Sequence, residues 1–361
     1  MMKKFILVLN LGSTTTKVAL FRDLNCHIVK TYSHDKELIS QDISAQKAAR
    51  YDTVMMFLSE AGITPEDISI VASRGGLLHP VEGGTYLIND DMLLDLTSGK
   101  YGDHASNLSG ILAAEFSKNH GIEAVITDPV VVDELCNEAK YTGLKNVKRT
   151  SIFHALNQKA AARKYADSVG QTYENLNLIV IHMGGGITVG AHHLGKVIDV
   201  NNGLNGDGPM SPTRAGSLPA DGLLKYMAER NLSKNEMIHL ISKAGGLLSH
   251  INTEDVRDIT ADINNGNRHS AEVLEAMAFQ IGKEIGAKAA VLRGQVDQII
   301  FTGGVSYSNY VMDLITPYIS FIAPVTIYPG EFEMEALAYG AYTVSNDRTL
   351  LKTYKAEGSH D

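Results

Sequence analysis

Two stretches of the chain share one pattern of apolar and polar residues. In each, an unbroken apolar run leads into a short polar or glycine-rich segment, and a second apolar run follows. They lie at residues 5–21 and 178–190. Such runs are typical of buried strands, and a short turn between two of them predicts a hairpin. Because one hairpin opens each half of the chain, the pattern predicts an internal duplication.

The segments between and after the hairpins alternate between helical and strand-like patterns. Helical spacing of apolar residues predicts helices at residues 47–62, from about 152 onward, and 271–292. Short apolar runs predict strands at residues 68–72, 124–127, 196–200, 298–302 and 321–328. This alternation predicts an α/β fold.

The length of 361 residues allows two domains with sizeable cores. The boundary is predicted near residue 152, close to the midpoint and before the second hairpin. We expect residues 1–152 and about 335–361 to form the N-terminal domain. Residues 153–334 then form the C-terminal domain, for which the motifs described below imply nucleotide binding.

Glycine-rich loops are the first candidates for chemistry. Gly184, Gly185 and Gly186 lie between the strands of the second hairpin, and Gly303 and Gly304 follow a third strand. Glycine lets backbone N–H groups close on a bulky anion such as a phosphate, although a plain glycine-rich hairpin explains the same run. A helix predicted at residues 305–314 would point its N-terminus at such a ligand.

Charged residues at strand ends and in loops are the second group of candidates. Arg74 ends a strand, and it is either a solvated charge or an anion ligand. Asp128 also ends a strand, where carboxylates often meet a metal or substrate, but it equally suits a turn before proline. His154 opens a predicted helix, and Arg214 lies within the irregular segment 201–219.

Composition narrows the functional classes. A net charge of −9 and a pI near 5.8 argue against general nucleic-acid binding. Two cysteines are too few for a disulfide framework. No apolar stretch is long enough for a signal peptide or a membrane span, so we expect a cytoplasmic protein with neither nucleic acid nor membrane as a partner. P-loop, dinucleotide and zinc motifs are also missing from the sequence.

Several motifs together resemble the butyrate kinase branch of the acetate kinase family, over about residues 4–342. They are NLGSTTTK at 10–17, RGGLL at 74–78, DHASNL at 103–108, DPVVVDE at 128–134, IFHALN at 152–157, the Gly184 loop, PTRAG at 212–216 and YPGE at 328–331. The resemblance implies two duplicated actin-like (ribonuclease H-like) domains, each a mixed sheet flanked by helices, around a central cleft. It also suggests a homodimer or a larger homo-oligomer.

The implied reaction is reversible transfer of the γ-phosphoryl group of ATP to a short-chain carboxylate, giving an acyl phosphate and ADP, with Mg²⁺ as cofactor. An ionised carboxylate needs no general base, so the site must supply positioning and positive charge. The residues that match catalytic positions of the family are Arg74, Asp128, His154 and Arg214.

The resemblance also assigns the binding residues. Substrate-binding positions match Gly75, Gly76, His104 and Phe153. Nucleotide-binding positions match Asn10, Ser13, Thr15, Lys17, His182, Gly184, Gly185, Gly186, Gly303 and Gly304. The metal is expected at Asn10 and Glu333, with Glu331 and Glu335 as alternatives to the glutamate. Gly185 stands where acetate kinases carry asparagine.

The choice of acid is predicted from one departure. Acetate kinases carry bulky β-branched residues where Gly75 and Gly76 stand, so the glycines are expected to lengthen the acyl pocket. Each extra buried methylene contributes ~0.8 kcal/mol. The argument favours butyrate, leaves propionate and isobutyrate open, and predicts that Gly76→Val restores a preference for acetate.

Two other functions compete with this interpretation. One is a sugar or other hydroxyl kinase, with Asp128 as its base. The other is a nucleotide-gated chaperone or filament protein.

Overall fold

A computed structural model of the chain describes residues 4–42, 45–102 and 105–356. The chain divides into two compact units. Unit 1 comprises Met1–Val132 and Phe332–Asp361, and unit 2 comprises Asp133–Glu331. The chain enters unit 2 earlier than residue 152 and returns to unit 1 close to residue 335. The functional domain boundaries proposed from the sequence stay a prediction.

The described residues contain strands and helices in alternation. The strands are β1 Phe5–Leu11, β2 Thr15–Arg22, β3 Asn25–Ser33, β4 Ile68–Ser73, β5 Thr85–Leu87, β6 Glu123–Thr127, β7 Asn177–Met183, β8 Ile187–His193, β9 Lys196–Val200, β10 Gln298–Gly303, β11 Val325–Pro329 and β12 Leu351–Thr353. The helices are α1 Lys36–Ile39, α2 Lys47–Glu60, α3 Asp90–Ser98, α4 Ala105–His120, α5 Asn137–Lys140, α6 Ala155–Ser168, α7 Ala220–Glu229, α8 Lys234–Lys243, α9 Gly246–Ile251, α10 Val256–Asn264, α11 Arg268–Val291, α12 Asn309–Ile315 and α13 Glu333–Asn346.

The two units contain separate sheets with the same order and direction of five strands. In unit 1 the strands run β6-β4-β1-β2-β3, and in unit 2 they run β11-β10-β7-β8-β9. The first three strands of each unit form an antiparallel meander. The first strand of the meander also pairs with a parallel strand, which pairs in turn with a second parallel strand. Unit 1 extends its sheet with β5 and β12. This correspondence confirms the predicted α/β fold with two mixed sheets.

The central strands explain the apolar runs. Every residue of β1 is buried, because helices cover both faces of the strand: α4 and α13 both pack on it. In unit 2, α6 and α11 both pack on β7. Within the described ranges, no helix is both long and apolar enough to cross a membrane.

Two predicted helices begin later than the sequence pattern suggests. The chain after β10 forms a 3₁₀ turn at Gly304–Tyr307, and α12 starts only at Asn309 because the Ser308 hydroxyl caps it by accepting a hydrogen bond from the Val311 N–H. The prediction of one helix over 305–314 was therefore wrong. The helix expected from about residue 152 starts at Ala155, with His154 at its N-cap position.

A fully buried arginine supports the first hairpin loop. Arg50 lies on the inner face of α2 with 0% exposure. Its guanidinium donates to the carbonyl oxygens of Gly12 at 3.0 Å, Thr15 at 2.9 Å and Ser13 at 2.9 Å. The Gln46 side chain accepts two further bonds from it. The guanidinium thereby joins three carbonyls of the loop to α2.

Gly75 and Gly76 are close-packing positions, which corrects the pocket argument. A Cβ on Gly76 would lie 2.6 Å from Cα of Asn107 and 2.7 Å from Cδ2 of Leu96. A Cβ on Gly75 would lie 2.8 Å from Cβ of Pro129. The missing side chains leave no empty volume, because neighbouring atoms already fill it. The expectation that these glycines lengthen an acyl pocket was therefore wrong, and the prediction that Gly76→Val restores acetate preference loses its physical basis.

Replacing Arg50 by methionine is expected to destabilise the protein strongly. The loop would lose three charge-assisted hydrogen bonds, and a hydrogen bond to a charged group contributes about 1.5–3 kcal/mol. Lys30→Met serves as the matched control, since Lys30 pairs with Glu60 at 2.7 Å on an exposed surface, where such a pair contributes about 0–1 kcal/mol. Urea unfolding measures both variants. Equal losses of stability would contradict the support assigned to Arg50.

Gly76→Ala is expected to lower the melting temperature, because the new methyl group collides with backbone atoms of α4. Overpacking of this kind typically costs about 1–3 kcal/mol. Gly286→Ala is the control, since a Cβ there meets nothing within 4 Å and alanine suits a helix interior. Calorimetry should show a lower melting temperature only for Gly76→Ala. An unchanged value for that variant would restore the idea of open space at residue 76.

Candidate active site

One edge of the unit 1 sheet gathers three predicted site residues. β1, β4 and β6 are parallel neighbours, so their carboxyl ends lie at the same edge. Asn10 lies near the end of β1, while Arg74 and Asp128 directly follow β4 and β6. In α/β folds, ligands bind outside the carboxyl ends of strands. The sheet therefore explains why residues distant in sequence come together.

Glu333, the first residue of α13, joins this group. Asn10 donates its side-chain N–H to the Glu333 carboxylate at 2.6 Å. The Arg74 guanidinium lies 3.4 Å from both the Asn10 amide oxygen and the Glu333 carboxylate. Glu335, by contrast, is exposed on the same helix. The structure thus brings Glu333 to Asn10 and Arg74.

The donor set fits a magnesium ion. Mg²⁺ prefers hard oxygen ligands and usually needs only one or two carboxylates, with phosphates and water completing its shell. Glu333 supplies a carboxylate and Asn10 an amide oxygen. Among the described residues there is no group of three or more histidine, cysteine or acidic side chains that could hold a metal. Asn10 and Glu333 are therefore suited to a metal that arrives with a phosphate ligand.

Asp128 is held in an unusual backbone conformation. Its φ of 39° lies in the left-handed region, which Asp tolerates better than most residues. Two hydrogen bonds to Gly84 fix it: the Asp128 N–H donates to the Gly84 carbonyl at 2.9 Å, and the Gly84 N–H donates to the Asp128 carboxylate at 2.8 Å. Positive φ at a non-glycine residue is characteristic of functional sites.

The other unit 1 candidates belong to the first hairpin and its surroundings. Ser13 lies in the turn, Thr15 begins β2, and Lys17 pairs with Asn10 in the strand register. The turn is closed by a bond from the Gly12 N–H to the Thr15 carbonyl at 2.9 Å. His104 lies outside the described residues.

In unit 2, the glycine loop and the segment before Arg214 form one hydrogen-bonded assembly. The Gly185 carbonyl accepts bonds from the Ser211 hydroxyl at 2.7 Å, the Thr213 hydroxyl at 2.9 Å and the Thr213 N–H at 3.0 Å. A Cβ on Gly185 would make only ordinary contact with Thr213, at 3.5 Å. The segment is thereby fixed relative to the loop.

Arg214 explains why residue 186 is glycine. The guanidinium occupies the space that a Cβ on Gly186 would need, and its Nη1 donates to the Gly203 carbonyl. Burial lowers the pKa of Arg214 from its ordinary value. Its Nε is buried and has no hydrogen-bond partner among the described residues. A buried cationic donor without an acceptor is suited to an incoming anion.

Two predicted histidines stack beside this loop. The rings of His154 and His182 lie 3.9 Å apart at an angle of 16°. Nδ1 of His154 lies 2.9 Å from the Thr188 hydroxyl, and Nδ1 of His182 lies 2.9 Å from the Asn157 amide oxygen. Phe153, which precedes His154, is buried with 3% exposure. Both rings are therefore fixed through Nδ1.

A cavity of about 930 Å³ lies in unit 2, a size suited to a large ligand. Its walls include Gly184 and Gly185, the segment from Gly304 to Ser308, and residues 254–264 around α10. Gly303 has a φ of 90° and packs against the backbone of Met183, so it lets this wall approach the hairpin. The structure thus brings the second and third glycine motifs to one cavity.

Sequence reasoning missed several residues of these sites. Arg50 shares the inner face of α2 with Val54 and Phe57, so a charge on an apolar face could have revealed it. Thr188, Gln158 and the α10 wall gave no such signal, because only tertiary packing brings them to the site.

The comparisons with known proteins agree with this arrangement. The model of the Acetokinase family matches residues 137–322, just over half of the 361-residue chain. Three solved structures are similar at low identity. Acetate kinase from Porphyromonas gingivalis has a TM-score of 0.76 at 21% identity, covering 97% of this chain and 100% of that chain.

A propionate kinase from Francisella tularensis has a TM-score of 0.74 at 19% identity, with coverages of 93% and 98%. Acetate kinase from Entamoeba histolytica has a TM-score of 0.74 at 16% identity, with the same coverages. At these identities the structural matches establish a shared fold, and they confirm the predicted duplicated actin-like architecture. Together with the family match, they show that the chain belongs to the acetokinase family.

Proposed function

We propose that the protein transfers the γ-phosphoryl group of ATP reversibly to a short-chain carboxylate, with butyrate the preferred acid. The observation that carries this proposal is the buried Nε of Arg214, which has no acceptor among the described residues and lies against the glycine loop that lines the cavity of unit 2. Membership of the acetokinase family makes a phosphoryl group the fitting anion.

The cavity is proposed to bind the nucleotide. Its volume accommodates a nucleoside, with Val256 and Thr260 of α10 on one side and Gly304 on the other. The Gly184 N–H donates to the Gly186 carbonyl at 3.0 Å and so closes the loop. The Gly185 backbone would then face the phosphates, since glycine has no side chain to block it.

Arg214 and His154 are proposed to stabilise the transition state. Phosphoryl transfer spreads negative charge over three equatorial oxygens, so fixed donors and cations accelerate it. The Arg214 guanidinium supplies fixed charge, and His154 supplies a ring that the Thr188 hydroxyl holds at Nδ1. His182 supports the ring by stacking on it.

Arg74 is proposed to bind the acceptor carboxylate. Its contacts with Asn10 and Glu333 are long, at 3.4 Å, so a substrate carboxylate can replace them with shorter charge-assisted bonds. Asn10 and Glu333 would hold Mg²⁺, which when bound neutralises charge on the phosphate oxygens. The ionised acceptor needs no base, so Asp128 is assigned to positioning the reaction centre.

Butyrate is the finer part of the proposal, and it rests on the motif resemblance. The packing of Gly75 and Gly76 removes the volume argument for a long pocket, so acetate, propionate and isobutyrate are direct competitors. The same resemblance suggests a homodimer or larger assembly in the cytoplasm, which sedimentation and fractionation would measure.

Incubation with Mg-ATP, hydroxylamine and one candidate acceptor is expected to give a coloured hydroxamate, because hydroxylamine traps acyl phosphates. We expect the strongest colour with butyrate and weaker colour with acetate, propionate and isobutyrate. Strongest colour with acetate would retain the reaction and reject butyrate. ADP release with glycerol and no colour with any acid would replace the proposal by a hydroxyl kinase.

Arg214→Ala is expected to lower kcat about 100-fold or more. Enzymes that lose one donor to the charge of their transition state show losses of this size. The dissociation constant for ADP should change little, since Arg214 is assigned to the transferring group and not to the nucleoside. Arg348→Ala is the control, because Arg348 pairs with Glu123 on an exposed surface. Steady-state rates and calorimetric ADP binding measure both. Normal turnover in Arg214→Ala would remove Arg214 from its role.

A further inference from the structure

A chain of buried side chains runs from Tyr173 to His154 within unit 2. The Tyr173 hydroxyl lies 2.7 Å from Nδ1 of His192, and Nε2 of His192 lies 3.0 Å from Oε1 of Gln158. Nε2 of Gln158 lies 2.8 Å from the Thr188 hydroxyl. That hydroxyl lies 2.9 Å from Nδ1 of His154.

The middle of this chain excludes water. His192, Gln158 and Thr188 each have 0% exposure, and Tyr173 has 3%. A buried hydrogen bond that loses its donor or acceptor is costly, so every group in the chain must present the correct partner to the next.

The direction of each bond follows from Gln158. Its Nε2 also donates to the backbone carbonyl of Thr188 at 3.0 Å, and a carbonyl can only accept. This fixes the amide orientation, so Oε1 faces His192 and must accept from Nε2–H of that ring. In the neutral ring Nδ1 then accepts from the Tyr173 hydroxyl.

The charge state of His192 is consistent with this direction. Complete burial, together with the positive charges of Lys159 and Arg163, lowers the pKa of His192 well below its ordinary value. A neutral ring carries one donor and one acceptor, which is what Gln158 and Tyr173 require of it.

The same logic continues to His154. The Thr188 hydroxyl accepts a bond from Gln158, so its own proton is available for the Nδ1 atom of His154. If Nδ1 accepts, the neutral ring carries its proton on Nε2.

We propose that Thr188, Gln158 and His192 are positioning residues that hold His154 as the Nε2–H tautomer, ready to donate a hydrogen bond to an oxygen of the transferring phosphoryl group. The role of that bond rests on the proposed phosphotransferase function, whereas the direction of the chain does not. The uncharged ring donates this hydrogen bond from its Nε2–H group, so no proton has to be transferred during the reaction.

The identity of residue 190 supports the chain. A Cβ on Gly190 would lie 2.5 Å from Oε1 of Gln158 and 3.0 Å from Nε2 of His192, the two atoms of the central hydrogen bond. Gly190 has no positive φ that would otherwise demand glycine. The missing side chain therefore makes room for this bond.

Thr188→Val and Thr188→Ser form the matched pair that tests the proposal. Valine keeps the branched shape that suits β8 and removes the hydroxyl, whereas serine keeps the hydroxyl. The full chain is labelled with ¹⁵N-histidine, and long-range proton–nitrogen spectra report the protonation of each ring nitrogen. The signals of His154, one of 13 histidines, are identified by their loss in His154→Asn.

In the unsubstituted protein and in Thr188→Ser, we expect His154 with a protonated Nε2 and a hydrogen-bonded Nδ1. In Thr188→Val the Nδ1 signal should shift to that of an acceptor without a donor. We expect kcat to fall about tenfold to 100-fold, while KM for Mg-ATP changes less than about threefold.

A protonated Nδ1 in the unsubstituted protein would overturn the proposal, whether or not Thr188→Val folds. A fall in kcat without a change in the Nδ1 signal would also overturn it, since only a general structural role would remain. If no carboxylate is phosphorylated by the unsubstituted protein, the proposed function fails, but the spectra still decide the direction of the chain.

Discussion

The close approach of the Arg214 guanidinium to Gly186 is the contact on which the packing of the unit 2 glycine loop depends. The guanidinium fills the volume that any side chain at residue 186 would need, so the loop can only be glycine there. The Gly185 carbonyl, bonded to Ser211 and Thr213, holds the same two segments together from the other side. A cation is thereby brought into a partly buried position beside a glycine loop.

The sheets of the two units have the same core strand order, but the two units support their hairpin loops differently. In unit 1 a buried arginine on a helix, Arg50, donates to the loop carbonyls from behind. In unit 2 hydroxyl side chains from a long irregular segment do so, and the arginine of that segment, Arg214, instead keeps a buried donor without a partner. The buried arginine of unit 1 has its guanidinium engaged by the loop and Gln46, whereas Nε of the arginine in unit 2 has no hydrogen-bond partner among the described residues. Duplicated folds can therefore place one chemical group in two different roles.

Glycines in this chain have two physical uses that sequence alone does not separate. Gly185 and Gly304 line a cavity, and a Cβ on either residue would meet ordinary contact or nothing within 4 Å. At Gly76, Gly186 and Gly190, neighbouring protein atoms instead occupy the space that a Cβ would need. These atoms belong to the backbone of α4 at Gly76, to the Arg214 guanidinium at Gly186, and to the hydrogen-bonded side chains of Gln158 and His192 at Gly190. A glycine beside a charged residue such as Arg74 is thus weak evidence for a larger substrate pocket. Only the surrounding structure shows whether the space of the missing side chain is empty or occupied by protein atoms.

The sequence alone determined the two hairpins, the α/β alternation and the family resemblance, because buried central strands require continuous apolar runs and tight turns require glycine or small polar residues. The family resemblance also indicated Asn10, Arg74 and Asp128, whereas the local pattern at the strand ends left the roles of Arg74 and Asp128 open. Only the tertiary structure decided which of Glu331, Glu333 and Glu335 contacts Asn10, since the three acids are alike in sequence. It alone decided the packing at Gly76, the burial of Arg50 and the hydrogen-bonded chain behind His154. These features depend on contacts between residues far apart in the chain, and no local pattern of hydrophobic and polar residues encodes them.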